Sequence, residues 1–334
     1  MDQIARRSLE LVSQSGRGVA SRLCEEFGIS RQAANGRLRR MVTAGLLEST
    51  GSTRDRVWKL AELKRVQSTY PIVGLSEDIV WRELCAPMVA DLAGNVKDIW
   101  HYGITEMVNN AIDHSGSASV NVGMARTALY TTAWVSDAGV GIFLKIQHAM
   151  RLYDPREAIL ELAKGKLTTD PDNHTGEGIF FASKMFDTYD IRSGNLHFMH
   201  DVGELELLAE RERHDTGTLV MMRLKNDSPR TDKEVFDQFS SPDEYTFDRT
   251  IVPVRLAVHE GEKLVSRSQA KRLTMRFERF RHVILDFDGV NEIGQAFADE
   301  VFRVFQNAHP NTLMMPAHMT KAVAAMVSRA KAKE

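Results

Sequence analysis

The sequence predicts a multidomain α+β protein built from three folded units. Its 334 residues exceed the roughly 100–200 residues of a single domain. Helical periodicity at the start gives way to strands with glycine-rich turns, and the end of the chain alternates strands and helices. The composition, 43% apolar and 26% charged, is that of a globular chain, which argues against a largely disordered or fibrous one.

The number of cysteines and the lengths of the apolar runs exclude several classes of protein. Cys24 and Cys85 are the only cysteines, which excludes a disulfide scaffold and a cysteine-rich zinc site. The apolar runs, such as Leu219–Met222, are far shorter than the roughly 18 residues of a membrane span. No apolar run of signal-peptide length follows the basic residues near Met1. We therefore expect a cytoplasmic protein with no membrane partner.

Charge is distributed unevenly along the chain. Residues 1–65 hold 13 Lys and Arg against 7 Asp and Glu, a net charge of +6, while the remaining residues carry −8. A basic segment on an acidic body favours a local anionic partner for that segment, such as nucleic acid.

The first unit, residues 1–65, reads as three short helices followed by a hairpin. Gly28 is placed to end the second helix, and Ser30 is placed to cap the third. Strands over Leu46–Ser49 and Val57–Leu60 then flank the polar tip Thr50–Arg56.

The third helix of this unit is basic on its polar face. Side chains able to make bidentate contacts with base edges, or to reach phosphates from the hairpin tip, are Arg31, Gln32, Asn35, Arg37, Arg39, Arg54 and Arg56. With the turn Phe27–Ser30, the segment resembles the winged helix-turn-helix domains of bacterial regulators, which implies binding of double-stranded DNA by these residues. The alternative is a winged helix that binds protein, with its arginines solvated; Glu48 and Asp55 dilute the charge of the wing.

Polar segments separate the units. Ala61–Gly74 and Lys225–Pro242 read as linkers, so the predicted domains are 1–65, 76–226 and 243–334. Ser76 and Asn95 are predicted to cap the first helices of the central domain.

A polar stripe marks the second of these helices. Glu106, Asn110 and Asp113, spaced i, i+4 and i+7, fall on one helix face. An amide oxygen together with phosphate oxygens can hold Mg²⁺, and a neighbouring carboxylate can deprotonate a water.

Three further pieces follow in order. Asp137 ends a strand and precedes Gly139 and Gly141; a glycine turn and helix start occupy His174–Lys184; and Asp215–Met221 opens a strand with a glycine and Thr218. With the polar stripe, these pieces resemble the GHKL ATP-binding family, which includes gyrase B and the histidine kinases, over residues 76–226.

The resemblance implies a GHKL α/β sandwich that binds ATP and Mg²⁺, with a role for each matching residue. Glu106 matches the general base, Asn110 the magnesium ligand and Asp113 the acidic residue near the nucleotide. Asp137 matches the aspartate that reads the adenine amine. The implied nucleotide-binding residues beside these are Gly139, Gly141, Thr175, Gly176, Gly178 and Thr218.

The segment Phe143–Thr175 would then cover the nucleotide. Lys164, Lys166, Thr168 and Thr169 are candidates for phosphate contact, with solvated lysines at a helix end as the alternative. Glu177, between two of the glycines, receives no role, because its charge would oppose phosphate.

The third unit predicts a small α/β layer. Its buried strand Val283–Phe287 and the residues Ser266–Ala270 and Gly294–Glu300 resemble a STAS-like domain of unknown function. Gly294–Phe297 lacks the acceptor hydroxyl of STAS antagonists, which leaves Ser266 and Ser268 as possible phosphate acceptors. The acids Asp286, Asp288, Asp299 and Glu300 fit either a metal site or a turn and a solvated helix face.

Three functions remain open from the sequence. The leading hypothesis is a bacterial regulator that binds DNA and uses Mg-ATP binding and slow hydrolysis as a conformational switch, with a possible homodimer and a protein partner for the STAS-like domain. The alternatives are a serine/threonine protein kinase of the anti-sigma type and a nucleotide-gated scaffold without catalysis.

Overall fold

Three separate sheets organise the chain. The structure, a computed structural model, describes residues 2–52, 55–167, 176–201, 207–241, 246–258 and 262–332, with the backbone alone for 207–215. The sheets contain two, five and three strands, which confirms a mixed α/β, multidomain architecture.

The N-terminal unit has three helices and a hairpin. The helices are α1 (Gln3–Gln14), α2 (Val19–Phe27) and α3 (Arg31–Thr43), and the strands are β1 (Leu47–Thr50) and β2 (Val57–Leu60). Gly28 ends α2 in a left-handed conformation, and the Ser30 hydroxyl accepts a hydrogen bond from the Ala33 amide, as predicted.

This unit has its own hydrophobic core, and the core includes a residue from the next unit. Leu9, Leu23 and Leu38 are fully buried in it, and Trp58 closes one side. Leu129, from the turn that follows the second strand of the central sheet, is buried in the same core. The N-terminal unit is therefore docked on the central one.

The central sheet is antiparallel throughout, in the order β3-β4-β5-β7-β6. Its strands are β3 (Lys64–Pro71), β4 (Ser119–Arg126), β5 (Tyr130–Asp137), β6 (Thr188–Asp201) and β7 (Leu207–Lys225). β3 lies in the segment predicted to be a linker. As an edge strand it is polar and only half-buried, and it tolerates Pro71 at its end.

Helices pack on this sheet and precede the third unit. They are α4 (Glu77–Val80), continued by a π-helical turn (Trp81–Cys85) and α5 (Ala86–Val89), then α6 (Gly94–His114), α7 (Ile142–Met150), α8 (Glu157–Lys164), α9 (Gly178–Met185) and α10 (Asp232–Phe239). Ser76 caps α4 as predicted. The prediction for Asn95 is wrong: Ala93 precedes α6, and the Asn95 amide instead donates to the Ser228 and Arg230 carbonyls at 2.9 and 2.8 Å.

The C-terminal unit is a parallel sheet with helical crossovers. Its elements are β8 (Arg249–Pro253), α11 (Arg267–Thr274), β9 (His282–Asp286), α12 (Gln295–Asp299), a π-helical stretch (Glu300–Phe305), α13 (Gln306–Ala308), β10 (Leu313–Ala317) and α14 (Lys321–Lys331). The order is β10-β9-β8, and both pairings are parallel. Parallel neighbours need long crossovers, which explains the strand–helix alternation seen in the sequence.

The central and C-terminal units share one hydrophobic core. The Phe247 ring lies 4.7 and 4.9 Å, centroid to centroid, from the rings of Phe180 and Phe181 in α9. α10, in the segment predicted to be the second linker, contributes Phe239 to the same cluster. Of the helices in the described ranges, none is both long and apolar enough to cross a membrane.

Candidate functional site

The predicted polar stripe lies where α6 meets the start of α9. A methyl group placed on Gly178, the first residue of α9, would come within 1.9 Å of Glu106 Oε2. Only glycine allows the carboxylate this close to the helix end. The start of a helix also presents backbone N–H groups that have no partner within the helix. Glu106 and Gly178, far apart in sequence, are thus brought together.

Asn110 lies one turn further along α6, where its side-chain amide nitrogen is enclosed by the protein. Its Nδ2 atom is buried and has no hydrogen-bond acceptor among the described residues. An unsatisfied buried donor costs about 1–3 kcal/mol, so such a group needs an explanation. Asp113 follows on the same face and is exposed. The stripe runs from a half-buried acid to a solvent-facing one.

Asp137 occupies a second cluster, at the end of β5. Its Oδ1 accepts from the Gly139 amide at 2.8 Å. Burial raises the pKa of Asp137, and backbone hydrogen bonds from Gly139 and Thr218 oppose that rise. A methyl group on Gly139 would lie 1.9 Å from the Ser115 carbonyl oxygen, immediately after α6. The turn therefore fits closely against the end of α6.

The remaining members of this cluster are also in contact. Gly141 has a φ of 92°, and a methyl group on it would lie 2.5 Å from Ser193 Oγ. Gly217, with a φ of 75°, has its Cα against the Asp137 carbonyl. The Thr218 hydroxyl accepts from the Ile142 amide at 3.0 Å. The start of α7, the end of β5 and the interior of β7 are thereby fixed to one another.

The two clusters lie at two positions along α6. Glu106 and Ser115 are nine residues apart, which corresponds to about 13 Å at 1.5 Å per residue. One end carries an acid and an amide beside a helix start, and the other carries a half-buried aspartate among glycines. The arrangement suits an elongated ligand with chemically different ends.

Gly176 is fixed by a residue from the segment that precedes it. Its φ is 73°, a methyl group on it would lie 2.3 Å from the Leu167 carbonyl carbon, and its own carbonyl accepts from the Leu167 amide at 3.0 Å. Thr175, Thr168 and Thr169 lie outside the described residues.

Two lysines predicted to contact phosphate instead form hydrogen bonds within the protein. Lys164 is fully buried; its ammonium donates to Glu161 Oε1 and to the carbonyls of Arg272 and Met275. The Lys166 ammonium donates to the Arg279 carbonyl at 3.0 Å. Both expectations, phosphate contact and a solvated helix end, are wrong for Lys164, because its partners belong to the C-terminal unit.

Glu177 is a second carboxylate at the start of α9, and no role was predicted for it. The pKa of Glu177 is raised by burial, while Lys166 lowers it. Burial raises the pKa of Tyr102, and the nearby charges of Glu106 and Glu177 raise it further. The two acids therefore share a neighbourhood. The position of Glu177 between Gly176 and Gly178 was the signal available in the sequence.

A basic groove crosses the N-terminal unit. Arg31, Asn35 and Arg39 follow one another at four-residue intervals along α3 and line the groove, together with Arg56 and with Gly18–Ser21 at the start of α2. The guanidinium of Arg56 lies 5.5 Å from the Trp58 ring centroid.

The other predicted contacts on this unit lie elsewhere. Gln32 is exposed beside the groove but does not line it. Arg37 points away and pairs with Asp2 at 2.9 Å. Arg54 is outside the described residues. The predicted basic face therefore divides into a groove and a separate ion pair.

The polar residues singled out in the C-terminal unit have structural partners. The Ser266 hydroxyl accepts from the Gln269 amide and caps α11, and Ser268 Oγ lies 2.9 Å from Ser266 Oγ. Asp286 pairs with His318 at 2.8 Å and Asp299 with Arg303 at 2.9 Å. No group of three or more His, Cys, Asp or Glu side chains able to hold a metal occurs within the described ranges.

Comparison with known proteins identifies part of the chain. Residues 269–324 match a family described as a STAS-like domain of unknown function (DUF4325). The match falls in the parallel unit and confirms the predicted STAS-like domain. No curated protein matches the chain.

Proposed function

We propose that the central unit binds Mg-ATP in the manner of GHKL proteins and that the N-terminal unit binds double-stranded DNA, so that the protein is an ATP-responsive DNA-binding regulator. The observation that carries the proposal is the pair of clusters along α6, with Glu106 against Gly178 at one and Asp137 against Gly139 at the other. Each cluster has the chemistry that one end of a nucleotide requires.

Asp137 serves as the reader of the base. Its carboxylate is held by the Gly139 amide and accepts a hydrogen bond from the exocyclic amine of adenine. Gly139 and Gly141 let the turn pack directly against Ser115 and Ser193, which holds the Asp137 carboxylate in place at the end of β5. Thr218 keeps the turn in place through its contact with the Ile142 amide.

Asn110 and Glu106 serve the phosphate end. The Asn110 amide nitrogen is buried without an acceptor among the described residues, which leaves it for a ligand atom that accepts a hydrogen bond, such as a phosphate oxygen. The oxygen of the same amide would hold Mg²⁺. When bound, Mg²⁺ neutralises phosphate charge and orients the terminal phosphate for attack. Glu106 orients a water and accepts its proton, and the start of α9 beside it presents N–H groups to phosphate oxygens.

The groove of Arg31, Asn35, Arg39 and Arg56 serves the DNA. Arginine and asparagine pair bidentately with guanine and adenine edges, and arginine also binds phosphates. α3 presents three of these side chains on one face, which is the requirement for a helix that enters the major groove.

The nucleotide proposal is tested by following the γ-phosphate of labelled Mg-ATP. We expect Asn110→Ala to abolish binding, because the amide is the protein's own magnesium ligand. We expect Glu106→Ala to bind but not turn over, because the proton acceptor is gone. The measurements are equilibrium binding and the fate of the label in the presence and absence of duplex DNA.

Each result selects one function. Label released as free phosphate by the wild type, and retained as ATP by Glu106→Ala, supports the ATPase switch. Label transferred to this chain or to a partner makes the protein a kinase. Binding without either leaves a nucleotide sensor, whereas unchanged affinity in Asn110→Ala refutes the magnesium assignment.

The DNA proposal is tested by two arginines of the same helix. We expect Arg39→Ala to weaken duplex binding by about 1–3 kcal/mol if it contacts a base, or to reduce the salt dependence by about one unit of slope if it contacts a phosphate. Arg37→Ala is the matched control, because Arg37 is paired with Asp2 outside the groove. Equal effects of the two substitutions would show that the groove is not the binding surface.

A further inference from the structure

A buried group of charges joins the C-terminal unit to the chain just before Gly176. The guanidinium of Arg276, which follows α11, donates to Glu161 Oε2 at 2.7 Å and to the carbonyls of Gly165 and Lys166 at 2.6 and 2.5 Å. Lys164 donates to the other oxygen of Glu161. Lys164 and Glu161 are 0% and 1% exposed, and Arg276 is 8% exposed.

Burying charged groups between two surfaces carries a large desolvation cost in free energy. Removing a charge from water costs several kcal/mol, and well-packed apolar residues are often equally or more stabilising. The neighbouring interface already has apolar contacts, between Phe247 and the rings of α9. Arg276 adds hydrogen bonds of defined geometry, because its planar guanidinium holds two successive carbonyls at fixed positions.

Those carbonyls belong to a turn that contacts the candidate nucleotide site. Leu167, the next residue, donates its amide to Gly176 and packs against it. Two residues further, Gly178 lies against the Glu106 carboxylate. Contacts thus run without a break from Arg276 through Gly165–Leu167 and Gly176 to the phosphate end of the site.

We propose that Arg276 is a positioning residue through which the C-terminal unit holds the Gly165–Leu167 turn and, through it, the Gly176–Gly178 end of the nucleotide site. This inference rests on the proposed function. It makes the STAS-like unit a structural part of the nucleotide site. If a ligand of the STAS-like unit changes the affinity for nucleotide, nucleotide must change the affinity for that ligand by the same factor.

Arg272 provides a matched control from the same region of the chain. Its guanidinium contacts Glu157 Oε1 at 3.1 Å and the Ala257 carbonyl at 3.4 Å. It therefore also joins the C-terminal unit to α8, but at the first residue of that helix and without touching the Gly165–Leu167 turn. If these arginines only stabilise the interface between the C-terminal unit and α8, substitution of either one should have a similar effect.

The experiment compares Arg276→Met, Arg276→Lys and Arg272→Met in the full chain. Arg276→Met leaves Glu161 paired with Lys164, so no buried charge is left alone. Arg272→Met removes the ion-pair partner of the buried Glu157, so a general weakening of the interface would be at least as large in this control. Arg276→Lys keeps the positive charge but cannot hold two carbonyls and Glu161 together. The readouts are amide exchange at Leu167 in the nucleotide-free protein and equilibrium affinities for Mg-ATP and for ADP.

We expect both Arg276 variants to exchange the Leu167 amide faster and to lose about tenfold in affinity for Mg-ATP, with a smaller loss for ADP. Arg272→Met should change neither quantity by a comparable amount. Equal effects of Arg276→Met and Arg272→Met, or full retention of both quantities in Arg276→Lys, would overturn the positioning role. If the wild type binds no ATP, the proposed function fails, and unchanged exchange at Leu167 then overturns this inference independently.

Discussion

Single glycines allow neighbouring groups to approach the backbone closely in both candidate clusters. The space at Gly178 is filled by the carboxylate of Glu106, the far end of a flexible side chain. The space at Gly139 is filled by the backbone carbonyl of Ser115, which cannot turn aside. A methyl group at the first position displaces one side chain, whereas at the second it forces apart α6 and the Asp137 turn. The Glu106 cluster is thus more adaptable than the Asp137 cluster.

The raised pKa of Asp137 predicts an acid limit for nucleotide binding. The ionised carboxylate accepts from the adenine amine more strongly than the neutral acid does, so affinity should fall as the pH falls through a midpoint above the ordinary value of 3.8. Isothermal titration of ATP across the acid range measures this, and Asp137→Asn, which cannot titrate, should bind weakly without that dependence.

The contribution of Asp137 to folding stability changes with pH in the direction opposite to its contribution to nucleotide affinity. The two effects can therefore be separated experimentally. Because the folded protein holds the Asp137 proton more tightly than the unfolded chain does, this group adds stability as the pH falls toward 3.8. Loss of affinity in a protein that stays folded therefore reports the ligand contact. An identical pH dependence in Asp137→Asn would contradict the assignment of this residue.

Sequence spacing located single residues only where their partners were also visible in the sequence. Asp137 lies two residues before Gly139, which holds its carboxylate, and the glycine pattern made that turn recognisable. Lys164 carries the same charge as a surface lysine, and its carbonyl partners are more than 100 residues later in the chain. No local pattern separates a buried lysine of this kind from a solvated one.

At the scale of elements, helix caps formed by contacts between nearby residues were predictable, whereas the edge strand of the central sheet was not. Ser30 caps its helix through a contact three residues away, so local sequence suffices. Asn95 has the residue type of a cap, but its amide is taken by carbonyls beyond β7. β3 was hidden in a polar segment because an edge strand buries only part of one face, which weakens its alternation.

One strand lies between the two candidate sites. β5 begins at Tyr130, which packs against the core of the N-terminal unit together with Leu129, and it ends at Asp137. Eight residues of strand make this a path of about 25 Å. This strand, paired on both sides, is therefore one element through which a nucleotide at Asp137 would act on the proposed DNA-binding unit.

At the scale of the whole molecule, the described residues form two hydrophobic cores and three sheets. The central and C-terminal units share one, and the N-terminal unit has the other. The N-terminal unit is attached through Leu129 and through an ion pair between Arg6 and Asp227 at 2.9 Å. Exposed ion pairs contribute at most about 1 kcal/mol, so Leu129 is the stronger attachment.

This division predicts that Leu129→Ala destabilises the N-terminal unit alone. Leu129 is 3% exposed among that unit's core residues, and loss of a buried leucine side chain costs about 2–5 kcal/mol. Amide exchange should accelerate across α1–α3 and stay unchanged in α6 and α9, because the larger core does not contain this side chain. Leu63→Ala, at a leucine that is 45% exposed near the junction, is the control and should change neither set. Equal acceleration in both sets after Leu129→Ala would mean that the two cores unfold together and that the N-terminal unit does not fold independently of the central unit.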